Sequence, residues 1–135
     1  MYLFSPIKRL RGIIFWTLSV FILSAQDLPV ILATKTEPTE TGLKIEFQLS
    51  SYIERADISS WIEQDKWFIL NFYNIIRPAE NFFDEIIGYP IRDLQQTWSQ
   101  NSLQLSMQIN RSIGIFDVIL HDLGRKVLII FTYSD

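Results

Sequence analysis

The sequence predicts an all-β fold, a pseudosymmetric β-sandwich of two similar sheets of about four strands each. Two observations carry that reading. Residues 43–73 align with residues 103–133 at a constant offset of 60 without a gap, so one strand pattern is written twice. Within each copy apolar and polar residues alternate: Leu43, Ile45, Phe47 and Leu49 of LKIEFQL fall on Leu103, Leu105, Met107 and Ile109 of LQLSMQI. A two-residue period belongs to a strand with one buried face and one wet face. Residues 43–49 and 103–109 are therefore expected to be equivalent strands in two superimposable sheets, with Leu43, Ile45, Phe47, Leu103, Leu105 and Met107 in the core. Farther along, the offset sets Ile53 on Ile113, Asp57 on Asp117, Trp61 on His121, Lys66 on Lys126, Ile69 on Ile129 and Tyr73 on Tyr133.

Ahead of the repeats, residues 1–25 have the layout of an export signal. Lys8, Arg9 and Arg11 form a basic leader, Gly12 to Leu23 an uncharged apolar run, and Ser24 and Ala25 supply the small residues a signal peptidase needs. The apolar run is shorter than the ~20 residues of a spanning helix. Cleavage after Ala25 is expected, with an uncleaved membrane anchor and a buried N-terminal helix as the alternatives. Residues 26–135 then form one domain, and the membrane is met only through the N-terminal segment.

The remaining elements follow in order. Val30 to Thr36 and Ile91 to Trp98 read as an introductory strand for each repeat, each preceded by a proline, Pro29 or Pro90. Residues 52–62 and 112–122 carry a further strand each. WFILNFY (67–73) and VLIIFTY (127–133) are apolar at consecutive positions and rich in aromatic and β-branched residues, which predicts central strands. Polar turns at Glu63–Lys66 and Leu123–Lys126 close a hairpin in each repeat. Between the halves, Pro78, the acids Glu80, Asp84 and Glu85, and Phe82, Phe83, Ile86 and Ile87 at three-and-four spacing before Gly88 predict a short helix or turn. The alternative is an irregular loop whose phenylalanines plug the gap between sheets.

Composition narrows the function. The chain has no cysteine, which excludes a lipoprotein anchor, a disulfide scaffold and a thiolate metal site. Loss of residues 1–25 removes three of 12 basic residues and none of 15 acidic ones, taking the net charge from −3 to −6. No nucleic acid partner is expected of so acidic a domain, because phosphate binding begins with a basic surface.

The strings LKIEFQLSS, YIERADI, EQDKWFILNFYNI, IRDLQQTW, SLQLSMQIN and GRKVLIIFTY together resemble the AMIN domain, a β-sandwich module of bacterial envelope proteins. The resemblance covers Pro29 to Tyr133. It implies two similar four-stranded units, export to the periplasm, and a role in directing proteins to peptidoglycan or to the division site. Family members are attached to cell-wall amidases and to the secretins of type IV pili. Where they usually carry an Asp, in a strand reading LVVDL, this chain has Leu70-Asn71-Phe72, and Tyr73 and Asn74 follow where a Gly often stands. A carboxylate contact at that strand is thus not implied. With the chain stopping at Asp135, the resemblance implies a binding module standing alone, with peptidoglycan or a cell-wall-associated protein complex as its partner.

Residue chemistry points away from catalysis. His121 is the only histidine, so one chain cannot assemble a histidine-based zinc site or a paired-histidine mechanism. Asp84 and Glu85 are neighbours, whereas glycosidase carboxyls face each other across a substrate. Asp57 and Asp117 are either a symmetric ligand pair or two turn-ordering residues. Asn110-Arg111-Ser112 fits a glycosylation triplet that would be idle in a bacterial cell. No serine elbow or phosphate loop is present, and no cofactor is implied. Aromatic residues remain: Trp61, Trp67, Trp98, Tyr52, Tyr73 and Tyr89. Flat rings suit the apolar faces of amino sugars. Trp61 and Trp98 are expected to be exposed at strand ends, and Trp61, Trp98, Tyr52, Tyr89, Arg55, Arg92 and Arg111 form the candidate ligand-binding set. The arginines would meet carboxylates of stem peptides. The leading expectation is a non-enzymatic envelope module that binds peptidoglycan. The alternative is an accessory subunit of a pilus, secretin or division complex that recognises a partner strand at its edge.

Overall fold

The computed structural model describes residues 28–79 and 81–134, so the expected export signal lies outside the described residues. Eight strands are arranged in two antiparallel four-stranded sheets: β1 (Ile31–Pro38), β2 (Gly42–Leu49), β3 (Ile58–Glu63), β4 (Trp67–Phe72), β5 (Ile91–Ser99), β6 (Ser102–Ile109), β7 (Ile113–His121) and β8 (Lys126–Tyr133). One sheet has the order β1-β2-β8-β7 and the other β3-β4-β6-β5. Each repeat thus sends its first hairpin to one sheet and its second hairpin to the other. Exchanging the repeats, β1 for β5 through β4 for β8, turns one strand order into the other. The all-β, two-sheet expectation holds, and the equivalent strands β2 and β6 occupy equivalent central places in different sheets.

Alternation puts the core where the period requires. Leu43, Ile45 and Phe47 from β2 and Leu103, Leu105 and Met107 from β6 are at most 1% exposed. Removing such side chains from water stabilises the fold by about 1.5–3 kcal/mol each. The inner faces interdigitate through rings. Phe47 meets Phe72 edge-to-face at 5.4 Å, and Phe68 meets Phe131 at 4.7 Å and Phe116 at 5.0 Å, each contact crossing between the sheets. The strands β4 and β8 are central as expected, but their coverage differs. Residues 68–72 are buried at every position, whereas Leu128, Ile130 and Thr132 of β8 are half-exposed.

The pairing corrects the ungapped repeat. Ile31 faces Leu49 and Ile91 faces Ile109, each beside a β-bulge in the leading strand, so the offset of 60 holds through the first hairpin. It also holds at the entry to the second, where the Ile53 amide donates to the Gly124 carbonyl and the Ile113 amide to the Asp65 carbonyl, 2.9 and 2.8 Å. Beyond that point repeat one contains two extra residues, taken up by the 3₁₀ turn Arg55–Asp57, where repeat two needs only a bulge between Ile113 and Ile115. Repeat two then has a four-residue turn, 122–125, against the three residues 64–66. Core positions consequently correspond at offset 58 in β3 and β7 and 59 in β4 and β8: Phe72 facing Leu103 matches Phe131 facing Leu43. Trp61 is therefore equivalent to Ile119 and not to His121, which matches Glu63. Asp57 and Asp117 are not a symmetric pair either. Asp57 sits in the 3₁₀ turn, accepting from the Asn74 amide at 3.0 Å, while Asp117 is an exposed strand residue.

Residues between the halves form a 3₁₀ turn, Phe82–Ile86, rather than an α-helix. Phe83 is fully buried and Ile86 nearly so, and the turn packs on both β1 and β5. Both readings of this segment were partly right, since it is a short helical turn whose phenylalanine closes the seam between the sheets. Asp84 and Glu85 point to solvent.

Candidate functional site

Strand period places every second residue of a sheet on its outer surface. On the β3-β4-β6-β5 sheet these are Ser59, Trp61 and Glu63 of β3; Trp67, Ile69 and Asn71 of β4, followed by Tyr73; Ser102, Gln104, Ser106 and Gln108 of β6; and Asp93, Gln95, Thr97 and Ser99 of β5. Charge is confined to one end of this face, at Glu63 and Asp93. Elsewhere it offers amides, hydroxyls and three aromatic rings.

The centre of the face is built up rather than flat. Ile69 points outward, yet it is only 4% exposed, because Trp61 and Ser106 lie directly across from it on either side. The Trp61 indole donates to Glu63 Oε1 at 2.9 Å, which fixes the ring plane over the sheet while leaving 38% of the residue open. A polar row runs beside it. Asn71 Nδ2 donates to Ser59 Oγ at 3.1 Å, and Ser59 Oγ shares a hydrogen bond of 3.1 Å with the Tyr73 hydroxyl. Asn71 is 8% exposed and is the one buried polar residue among those described. No fully buried side-chain polar atom among the described residues lacks a partner. Asn71, Tyr73, Thr97, Ser99, Ser102 and Gln104 line a shallow open recess at this end of the face.

The expected site residues do not converge. Trp61 alone lies on this face. Trp98 is opposite Leu103 on the core side of β5, packed against the core, with Arg77 5.3 Å over its ring and Gln96 Oε1 3.3 Å from its indole nitrogen. The expected exposure of Trp98 is thus corrected: its strand position has core parity. Tyr52 is half-exposed beneath Arg125, 4.9 Å from the ring. Arg55 reaches across the seam between β3 and β7 and donates to the Val118 carbonyl. Arg92 is the exposed bulge residue of β5. Arg111 lies 4.3 Å over the Tyr133 ring, near Tyr89, which is 70% exposed before the cis peptide to Pro90. Burial raises the Tyr133 phenol above its ordinary range, Tyr89 adds to the rise and Arg111 opposes it. Strand parity, applied to the polar positions of β6, would have found Gln104, Ser106 and Gln108, which sequence reasoning passed over in favour of rings and charges.

The opposite sheet differs. Its outer surface carries Lys35 opposite Glu46 and Glu37 opposite Lys44, then Leu128, Ile130, Ile115 and Ile119, with Asp117 and His121 on the β7 edge. His121 is exposed there, and no group of three or more His, Asp or Glu side chains suited to a metal ion occurs among the described residues. In comparisons with known proteins, no family model, no curated protein and no solved structure matches this chain.

Proposed function

We propose that this protein is a non-enzymatic, exported module of the bacterial cell envelope that binds peptidoglycan, in the manner the AMIN resemblance implies, through the outer face of the β3-β4-β6-β5 sheet. The observation that carries the reading is the composition of that face: Trp61, Trp67 and Tyr73 beside a row of amides and hydroxyls, with no charge in the middle. Amino-sugar strands present apolar ring faces and neutral acetamido and hydroxyl groups, which match aromatic stacking and amide or hydroxyl hydrogen bonding. A preformed face limits the ordering cost of binding, and the Trp61–Glu63 and Asn71–Ser59–Tyr73 contacts supply that order.

Co-sedimentation of the purified protein with purified sacculi tests the proposal. The protein should pellet with sacculi and continue to do so in moderate salt, because stacking and neutral hydrogen bonds are not screened. Trp61→Ala should reduce the pelleted fraction with the fold intact. Absence of sedimentation, or sedimentation indifferent to Trp61 and abolished by salt, would remove the glycan reading. Incubation with sacculi should release no muropeptides.

A further inference from the structure

We propose that β7 is a self-pairing edge: two copies of the chain join antiparallel along Asp117–His121 of β7, about a two-fold axis at Ile119, to make one continuous eight-stranded sheet. An edge strand exposes a row of unpaired N–H and C=O groups, and sheets ordinarily blunt such edges with Lys, Pro, short length or a covering segment. Three of the four edges here are blunted. The strand β1 carries Lys35 and ends in Pro38, β5 carries Arg92 in its bulge, the Phe82–Ile86 turn packs on both, and β3 is only six residues long. The strand β7 has no Lys, Arg or Pro, its bulge is confined to its start between Ile113 and Ile115, and Arg55 covers it only at the Val118 carbonyl, so Asp117–His121 is the least protected stretch of edge.

The free edge of β7 is self-complementary. Arg55 bonds the Val118 carbonyl from outside the sheet, so the even-numbered residues Phe116, Val118 and Leu120 direct their backbone groups outward. With the axis at Ile119, Val118 of each copy faces Leu120 of the other as a hydrogen-bonded pair, and the second lone pair of the Val118 carbonyl remains available beside Arg55. On the outer face Ile119 then meets its own counterpart, and Asp117 of each copy lies opposite His121 of the other, carboxylate against ring N–H. The same register brings Ile115 towards Leu123 of the second copy. These are the two most exposed large aliphatic residues among those described, at 69% and 84%. An axis at Asp117 would instead oppose two carboxylates, which is unfavourable.

The pairing uses the sheet opposite the proposed glycan face and does not depend on that reading. Sedimentation equilibrium of the purified protein over a wide concentration range should show a mass rising from monomer to dimer. Asp117→Lys should weaken dimerisation about tenfold, since it spoils two symmetric cross-strand pairs. Adding His121→Glu to that variant should restore it, because the pair is then reversed in sign. Both residues are exposed, and circular dichroism should report an unchanged fold. Ile119→Lys, which sets two ammonium groups on the axis, should give a monomer. A wild type that stays monomeric at its highest attainable concentration, a dimer that survives Ile119→Lys, or an Asp117→Lys defect that His121→Glu does not repair would overturn the proposal.

Discussion

The two sheets are alike inside and unlike outside. Facing the core, Leu43, Ile45 and Phe47 have Leu103, Leu105 and Met107 as equivalents, all essentially buried. Facing solvent, Lys35, Glu37, Lys44 and Glu46 of the β1-β2-β8-β7 sheet correspond to Gln95, Thr97, Gln104 and Ser106 of the β3-β4-β6-β5 sheet. Each of those charges has become a neutral amide or hydroxyl. In the second hairpins Ile119, Leu128 and Ile130 correspond to Trp61, Ile69 and Asn71. Core packing constrains the inner positions to apolar groups of matching volume, whereas solvated positions accept almost any side chain at a cost within about 0.5 kcal/mol. The divergence is therefore confined to the surface that stability leaves free, and the two faces are equipped for different contacts.

Equivalent inner residues should respond equivalently, and this is the largest effect expected. Ile45→Ala and Leu105→Ala should each cost about 2–5 kcal/mol in denaturant unfolding. A cost confined to one of the two would break the equivalence of the inner faces. Outside, Trp61→Ala should weaken sedimentation with sacculi by about 1–3 kcal/mol, while Ile119→Ala at the equivalent position of the other sheet should leave it unchanged. Equal losses would mean that the faces do not divide the work. Transplanting the charges of one face onto the other, as Gln104→Lys with Ser106→Glu, should change stability by less than about 1 kcal/mol. It should, however, make sacculus binding weaker and salt-sensitive. The smallest effect concerns Tyr133, whose phenol is held above its ordinary range. Its protonated form is favoured on folding, so its contribution is fully present below the unfolded value of about 10 and declines as pH rises through the folded value. Tyr133→Phe should make alkaline unfolding slightly less steep, measured by circular dichroism above that pH.

Much of the fold was legible because two-residue alternation is an unambiguous signal in residues 43–49 and 103–109. The prolines Pro29 and Pro90 helped to mark β1 and β5, and runs of consecutive apolar residues marked the central β4 and β8. What alignment could not show was the slip from offset 60 to 58 and 59, because isoleucine and lysine recur often enough in both repeats to match by chance. That slip moved His121 off the position of Trp61 and separated Asp57 from Asp117. The candidate site was less legible still. Trp61 was found, but Trp98 was misjudged because its exposure depends on which face of β5 the register sets towards Leu103. Asn71, Gln104 and Ser106 gave no signal as individual residues, since neutral polar side chains on a strand are ordinary until topology assembles them on one surface.

The exchange of hairpins between sheets also governs how the chain can fold. Residues 42–48 of β2 pair with residues 126–132 of β8, so the first repeat has no completed sheet until the last strand has been made. A nascent chain emerging at about 5–20 residues per second would hold β2 with one free flank for several seconds. The β2–β8 and β4–β6 ladders that join the hairpins are non-local, which places folding towards the slow, millisecond-to-second class of all-β domains. Neither repeat is a folding unit by itself. A chain cut within the connection between β4 and β5 should yield two fragments that stay unfolded apart and regain a single cooperative transition only when mixed.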